Sequence, residues 1–343
     1  MNQFSFCLLV GIAFCLQNCS VVKEKVLIQK NDNFTSIQYT DSTCYSRSLI
    51  TDGRVIYTAN SNGKIYSYNV HSEKKRTLNS NTQLEELRDI SIVNKFIFGL
   101  QSGTTGKLIE ISPKKKIRII EYDFWKGIFL DAMDFRAKTG FILGDPVNNK
   151  FSLFFSKDGG KSWNPCKGEV NSFEGEAAFA ASGSTVQVLD DSTFIFVSGG
   201  STSRFFKSTD CGKTWSNSII PFRSGEITGA FSVCFKNKME GVVVGGDHSK
   251  FSTTEKTSFY TADGGITWNE SFSGLTGYKS CVYYKNGIYY SCGTNGLDFS
   301  RDNGKNWTHL LTNNFFSMTA NKHFLFVSGS KATITKIKLI KQE

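Results

Sequence analysis

Ser156-Lys157-Asp158-Gly159-Gly160-Lys161-Ser162-Trp163 decides the fold, because the chain repeats it three more times. The other copies are Ser208-Thr209-Asp210-Cys211-Gly212-Lys213-Thr214-Trp215, Thr261-Ala262-Asp263-Gly264-Gly265-Ile266-Thr267-Trp268 and Ser300-Arg301-Asp302-Asn303-Gly304-Lys305-Asn306-Trp307. All four fit hydroxyl-x-Asp-x-Gly-x-(Ser/Thr/Asn)-Trp. An Asp at the head of such a loop can bond the loop's own amides, and Gly takes the left-handed backbone that other residues avoid. Each copy therefore predicts a tight turn whose Trp opens the next strand. From Asp to Asp the copies lie 52, 53 and 39 residues apart, the spacing of a repeated supersecondary unit.

The pattern resembles the Asp-box, also called the bacterial neuraminidase repeat. That resemblance implies an all-β chain of four-stranded antiparallel blades arranged as a seven-bladed β-propeller. It also implies that the box turn lies on the outer part of its blade. Asp158, Asp210, Asp263 and Asp302, with Trp163, Trp215, Trp268 and Trp307, are thus expected to serve the fold, each Trp packing between neighbouring blades, and not to form a catalytic site.

Working outward, seven segments share one make-up: 43–70, 86–122, 127–166, 175–218, 225–271, 278–310 and 314–340. The middle four end in a box; the first two and the last lack it, as terminal repeats often do. The composition agrees, with 30 Phe, 12 Tyr and 31 Gly against 4 Pro. Ring closure needs an N-terminal strand, either Val26-Leu27-Ile28-Gln29 or Ser36-Ile37-Gln38-Tyr39, to complete the last blade.

Ahead of the propeller (41–343) stand a leader (1–19) and a polar tether (20–40) that could include the closing strand. Residues 4–16 form an apolar run too short to span a bilayer and of signal-peptide length, although Met1-Asn2-Gln3 carries no Lys or Arg. Leu16-Gln17-Asn18-Cys19 resembles a loose lipobox, which makes Cys19 the expected lipidation site. The alternative is an ordinary cleaved leader. Either implies export, to a periplasmic, lipid-anchored outer-membrane or secreted location.

The formal charge is +10. The runs Lys74-Lys75-Arg76 and Lys114-Lys115-Lys116-Ile117-Arg118 read as solvated turns and edge strands, or as weak attraction to anionic surfaces or glycans. No nucleic-acid-binding signature accompanies them, and nucleic acid is not an expected partner. Cys44, Cys166, Cys211, Cys234, Cys281 and Cys292 show no CxxC spacing, and His71, His248, His309 and His323 make no metal pair. Cys281 and Cys292 mirror each other across a hairpin at Asn286-Gly287, on a hydrogen-bonded pair where a disulfide would be strained, so all six are read as free or buried. No metal and no cofactor are expected.

Catalytic spacings are missing: there is no GxSxG, HExxH or GxGxxG. Gly160-Lys161-Ser162 and Gly212-Lys213-Thr214 imitate the end of a phosphate loop, but Phe155 and Lys207 stand where its first glycine belongs. Sialidases resemble this chain in their boxes and share an Arg-Ile-Pro near the first blade. None of Pro113, Pro146, Pro165 and Pro221 follows Arg-Ile. A sialidase-like glycoside hydrolase, or a lyase acting on a glycan, is therefore the second reading.

A closer resemblance rests on Phe129-Leu130-Asp131-Ala132, Gly144-Asp145-Pro146-Val147, Gly175-Glu176 with the small residues up to Gly183, Phe231-Ser232, Gly245-Gly246-Asp247 and Tyr278-Lys279-Ser280. These are similar to exported bacterial seven-bladed propellers related to the photosystem II assembly and stability factor family. The resemblance implies a non-catalytic propeller that binds or helps assemble an envelope partner, protein or glycan. In a propeller the first strand of each blade surrounds the channel, so polar residues early in those strands converge. That offset selects Arg47, Arg88, Asp89, Asp131, Glu176, Ser232, Lys279 and Ser280. They form either a self-satisfied ring that fixes blade register, or a mouth where Arg47, Arg88 and Lys279 take an anionic or polar group oriented by Asp131 and Glu176.

Overall fold

Short apolar runs cut by glycine and asparagine turns produce strands and almost nothing else. The computed structural model describes residues 27–30, 34–38 and 44–340. Among these the only helical segments are two three-residue turns, Asp123–Trp125 and Ser330–Ala332. No helix among them is long and apolar enough to cross a membrane. The expected leader with Cys19 and much of the tether lie outside the described residues.

The strands make seven sheets, one per blade. The main inner strands of blades 1 to 6 are Ser46–Thr51, Leu87–Val93, Leu130–Arg136, Val186–Val188, Thr228–Phe235 and Cys281–Lys285, each followed outward by three further antiparallel strands; the blade 5 sheet also takes two short strands, Glu176–Ala177 and Gly199–Gly200, on its inner side. Blade 7 takes Phe315–Ala320, Phe324–Gly329 and Ile334–Lys338 from the C-terminal end of the chain, and Phe34–Gln38 from its beginning. Phe34 lies opposite Ile337 and Ile37 opposite Ile334, so one sheet joins both ends of the chain and closes the ring. Leu27–Lys30 adds a fifth strand outside it.

The four boxes are the same knot of hydrogen bonds. In the first, Ser156 Oγ donates to Asp158 Oδ1 at 2.9 Å and accepts from the Gly160 amide at 2.9 Å. Asp158 in turn accepts from the Ser162 amide (3.0 Å) and hydroxyl (2.6 Å). Ser208, Thr261 and Ser300 repeat the first contact with Asp210, Asp263 and Asp302 at 2.7–2.8 Å. Two successive residues in each turn have positive φ, as at Cys211 (62°) and Gly212 (76°), which explains the glycine and the tolerance for Gly, Cys or Asn before it.

The Trp that follows each knot is a wedge. Trp163 packs with Val93 and Phe98 of blade 2 and Met133 and Phe154 of its own blade 3. Trp215 packs likewise on Phe141 and Phe196, Trp268 on Phe205 and Phe235, and Trp307 among Val242, Val244 and Tyr289. Trp125, outside any box, is completely buried beside Trp163. Cys166, Cys211, Cys234, Cys281 and Cys292 are free thiols, and Cys281 faces Cys292 across the blade 6 hairpin.

Trp163 is 2% exposed, whereas Trp215 is half-buried. Trp163→Ala is expected to lower stability by roughly 3–5 kcal/mol and Trp215→Ala by less, read from urea midpoints at constant slope. A Trp163→Ala protein as stable as the parent would contradict the wedge.

Candidate binding site at the channel mouth

Five inner strands carry a β-bulge at the same place. The register slips across Arg47 in blade 1, Arg88 in blade 2, Asp131 in blade 3, Phe231 in blade 5 and Phe316 in blade 7. A bulge re-aims the extra side chain out of the pleat. Here Arg47, Arg88, Asp131 and Phe231 line one cup at the mouth of the channel.

Blade 4 departs from the pattern. Its inner strand starts late, at Val186, and residues 179–184 run across the channel instead. Arg88 Nη1 donates to Ala180 O (3.3 Å), Ser182 Oγ to Ser280 O (2.7 Å), and Ser317 Oγ to Ser182 O (3.0 Å). Ser184 shares a 2.6 Å hydrogen bond with Ser232. Blades 2, 5, 6 and 7 are thus tied to one short segment. Gly183 is required there, since its φ is +76° and a Cβ would fall 2.1 Å from Asp89 Oδ1. The segment divides the channel into a mouth cup of about 290 Å³, which Phe179, Ala180 and Ala181 help line, and a far cavity of about 310 Å³ touching Ser182, Gly183 and Ser184.

The mouth cup has a cationic side and an aromatic side. Glu86 sits between the arginines, 2.8 Å from Arg88 Nη2 and 3.6 Å from Arg47 Nε. Arg47 lies over the rings of Tyr45 and Phe316 (4.8 and 5.6 Å), and Arg88 over Phe129 (5.8 Å). Opposite, Phe179 stacks on Phe231 at 4.1 Å, and Tyr278 meets Phe231 and His248 edge-on. Asp131 lines the same cup, is 1% exposed, and its Oδ2 has no hydrogen-bond partner among the described residues. Burial, with Asp145 close by, pushes its carboxyl well above the usual carboxylate range.

The BNR/Asp-box repeat family matches residues 259–270, which span the third box. The chain is a seven-bladed Asp-box propeller. Among solved structures it is similar to YCF48 bound to D1 peptide, at 12% identity over 92% of this chain and 98% of that one, with a TM-score of 0.63. It is also similar to a catalytically inactive virginiamycin B lyase from Staphylococcus aureus with quinupristin (11%, 92% and 100%, TM-score 0.65). The WD40 propeller domain of Doa1 gives 9%, 93% and 97%, with a TM-score of 0.63. At these identities the likeness is one of fold. Among curated proteins, none matches the sequence.

Of the residues singled out by offset, the propeller brings Arg47, Arg88 and Asp131 together at the mouth. Asp89 lines the far cavity, where its carboxyl accepts from Ser48 Oγ (2.7 Å), the Ile90 amide (2.7 Å) and the Met133 amide (2.6 Å), joining blades 1, 2 and 3. Ser232 Oγ accepts from the Val282 amide and Ser280 Oγ donates to Phe316 O, linking blades 5 to 6 and 6 to 7. Glu176 turns into blade 4 and holds Arg204 through bonds of 2.9 and 2.6 Å. Lys279 turns into blade 6, with Nζ 2.7 Å from Asp298 and 2.9 Å from Thr276 Oγ1. Both pairs are buried and satisfied, which assigns them to the fold. Glu86, Phe129, Asp145, Phe179, Phe231, Tyr278 and His248 were not selected from the sequence; Phe231 and Tyr278 stand one residue before Ser232 and Lys279.

These environments set the pH response. The amide and hydroxyl of Thr214 hold the Asp210 carboxyl at about 2, so its contribution is present above the unfolded value near 4 and lost as pH falls toward 2. Burial raises Asp89 to about 8 and Asp134 to about 6; their contribution is complete below about 4 and lost as pH rises through those values. Melting temperature should therefore peak on the acid side, near pH 4–5, and decline toward both pH 2 and pH 8. A profile rising steadily from pH 5 to pH 8 would contradict the burial of Asp89 and Asp134.

Proposed function

We propose that this protein is a non-catalytic binding propeller that captures a segment of a partner macromolecule in the mouth cup. The observation that carries the reading is Asp131, a buried carboxyl in the cup with an unpartnered oxygen, facing a site that also holds two arginines and a stacked aromatic wall. A buried polar atom without a partner costs about 1–3 kcal/mol, a cost that a bound polar group removes. Burial favours the protonated form of Asp131, which can donate as well as accept a hydrogen bond, while Arg47 and Arg88 supply positive charge and flat surfaces for stacking. Sequence supports placing the partner in the cell envelope, through the apolar leader and Cys19; a Cys19→Ser protein released from the membrane fraction would support the anchor, and a parent already soluble would remove it.

Asp131 and Asp145 both line the cup, and this favours a second reading as a hydrolase or lyase acting on a glycan. Acid–base work, however, needs two carboxyls whose environments push them apart. Here burial raises both.

Pull-down from an envelope extract separates these readings. Asp131→Asn should abolish capture while leaving the melting temperature nearly unchanged, because it keeps the side chain's shape; Arg88→Ala should abolish capture too, with a lower melting temperature because Glu86 and Ala180 O lose their partner. Glu176→Gln, by contrast, strands Arg204 and should cost about 3–5 kcal/mol of stability. Turnover of a panel of glycosides, lost in Asp131→Asn and Asp145→Asn, would decide for the enzyme.

A further inference from the structure

The two basic runs converge. Lys74 and Arg76, on the outer edge of blade 1, face Lys95 and Lys115 of blade 2 across a groove of about 420 Å³. This groove lies on the outside of the ring and is separate from the mouth. Turn geometry puts the cations at its rim: Lys95 and Lys115 have φ of 69° and 61°, and Arg76 sits on the edge strand Lys75–Thr77. All four are exposed, and none has an ion-pair partner among the described residues. The lining contains no Asp or Glu. Its floor includes Val55, Ile97 and Ile111, and its walls carry Ser67, Asn69, Thr77 and Ser112.

We propose that this inter-blade groove binds a linear anionic polysaccharide. The four cations outnumber the nearest carboxylates, Asp52, which accepts from the lining Tyr57 at 3.2 Å, and Glu73 beside Lys74, and the net positive potential they leave is concentrated by a concave wall. The hydroxyl and amide side chains match the hydroxyls of sugars, and the apolar floor suits the flat faces of sugar rings. A groove of this volume lies within the range of small-molecule sites, roughly 300–1,000 Å³, and takes a short stretch of sugar units. Concavity disfavours a planar lipid surface, whose headgroups would reach only the rim.

Titration calorimetry of the purified full chain tests this, using a heparin-derived hexasaccharide and hexagalacturonate as charged probes and maltohexaose as the neutral one. At least one charged probe should bind, more weakly as salt rises, and roughly tenfold more weakly to an Arg76→Ala/Lys95→Ala protein of unchanged melting temperature. Arg88→Ala, which alters only the mouth, should bind the charged probe like the parent, so failure of the mouth and failure of the groove are read apart. Binding of neither charged probe, equal binding of maltohexaose, an undiminished affinity in the double variant or in its charge-reversed counterpart Arg76→Glu/Lys95→Glu, or preference for short DNA or phosphatidylglycerol vesicles would overturn the proposal.

Discussion

The site depends on one backbone segment crossing the ring axis. Residues 179–184 donate to or accept from blades 2, 5, 6 and 7, and they divide the channel into two cups, each open at its outer end. Without the crossing, the bulged arginines and Asp131 would surround a tunnel full of water, where a carboxyl stays ionised and an arginine stays solvated. With it, the mouth has a floor, Asp131 is buried, and the Phe179–Phe231 stack becomes a wall. The crossing is possible because Gly183 can pass directly over Asp89.

Around this centre the ring is held at two radii. Near the axis, small polar groups pass hydrogen bonds from blade to blade: Ser48 to Asp89, Asp89 to Met133, Ser184 to Ser232, Ser232 to Val282, and Ser280 to Phe316. Farther out, the indoles after each box fill the gap that opens as blades diverge. The polar contacts set register and the aromatic ones supply most of the burial. Each box knot is half-buried at Asp and buried at its hydroxyl, and it fixes the turn chiefly through its own hydrogen bonds.

The blade count and the box geometry were legible because the turn closes its hydroxyl–Asp–amide bonds within eight residues, although one amide of the turn also reaches a neighbouring hairpin, as Gly159 does to Lys138 O. Convergence of Arg47, Arg88 and Asp131 was legible for a related reason: blades are equivalent, so equal offsets meet at the axis. Two things broke that logic. A bulge shifts the outward-facing residue by one, so Phe231 and not Ser232 reaches the mouth, and hydropathy cannot show where a ladder slips. Blade 4 starts its inner strand late, at Val186, and Glu176, on a short strand joined to the blade 5 sheet, pairs with Arg204 of blade 4. Lys279 likewise pairs with Asp298, nineteen residues later, a partner no local pattern indicates.

The central claim is that the mouth cup, floored by the crossing segment, is where a partner is held. Hydrogen–deuterium exchange with and without the captured partner tests it most directly. The account predicts slowed exchange in residues 129–131, 178–181 and 278, with the far cavity around Met133 and Tyr283 unchanged. Protection confined to the far cavity or to the outer strands, with the mouth unaffected, would contradict it.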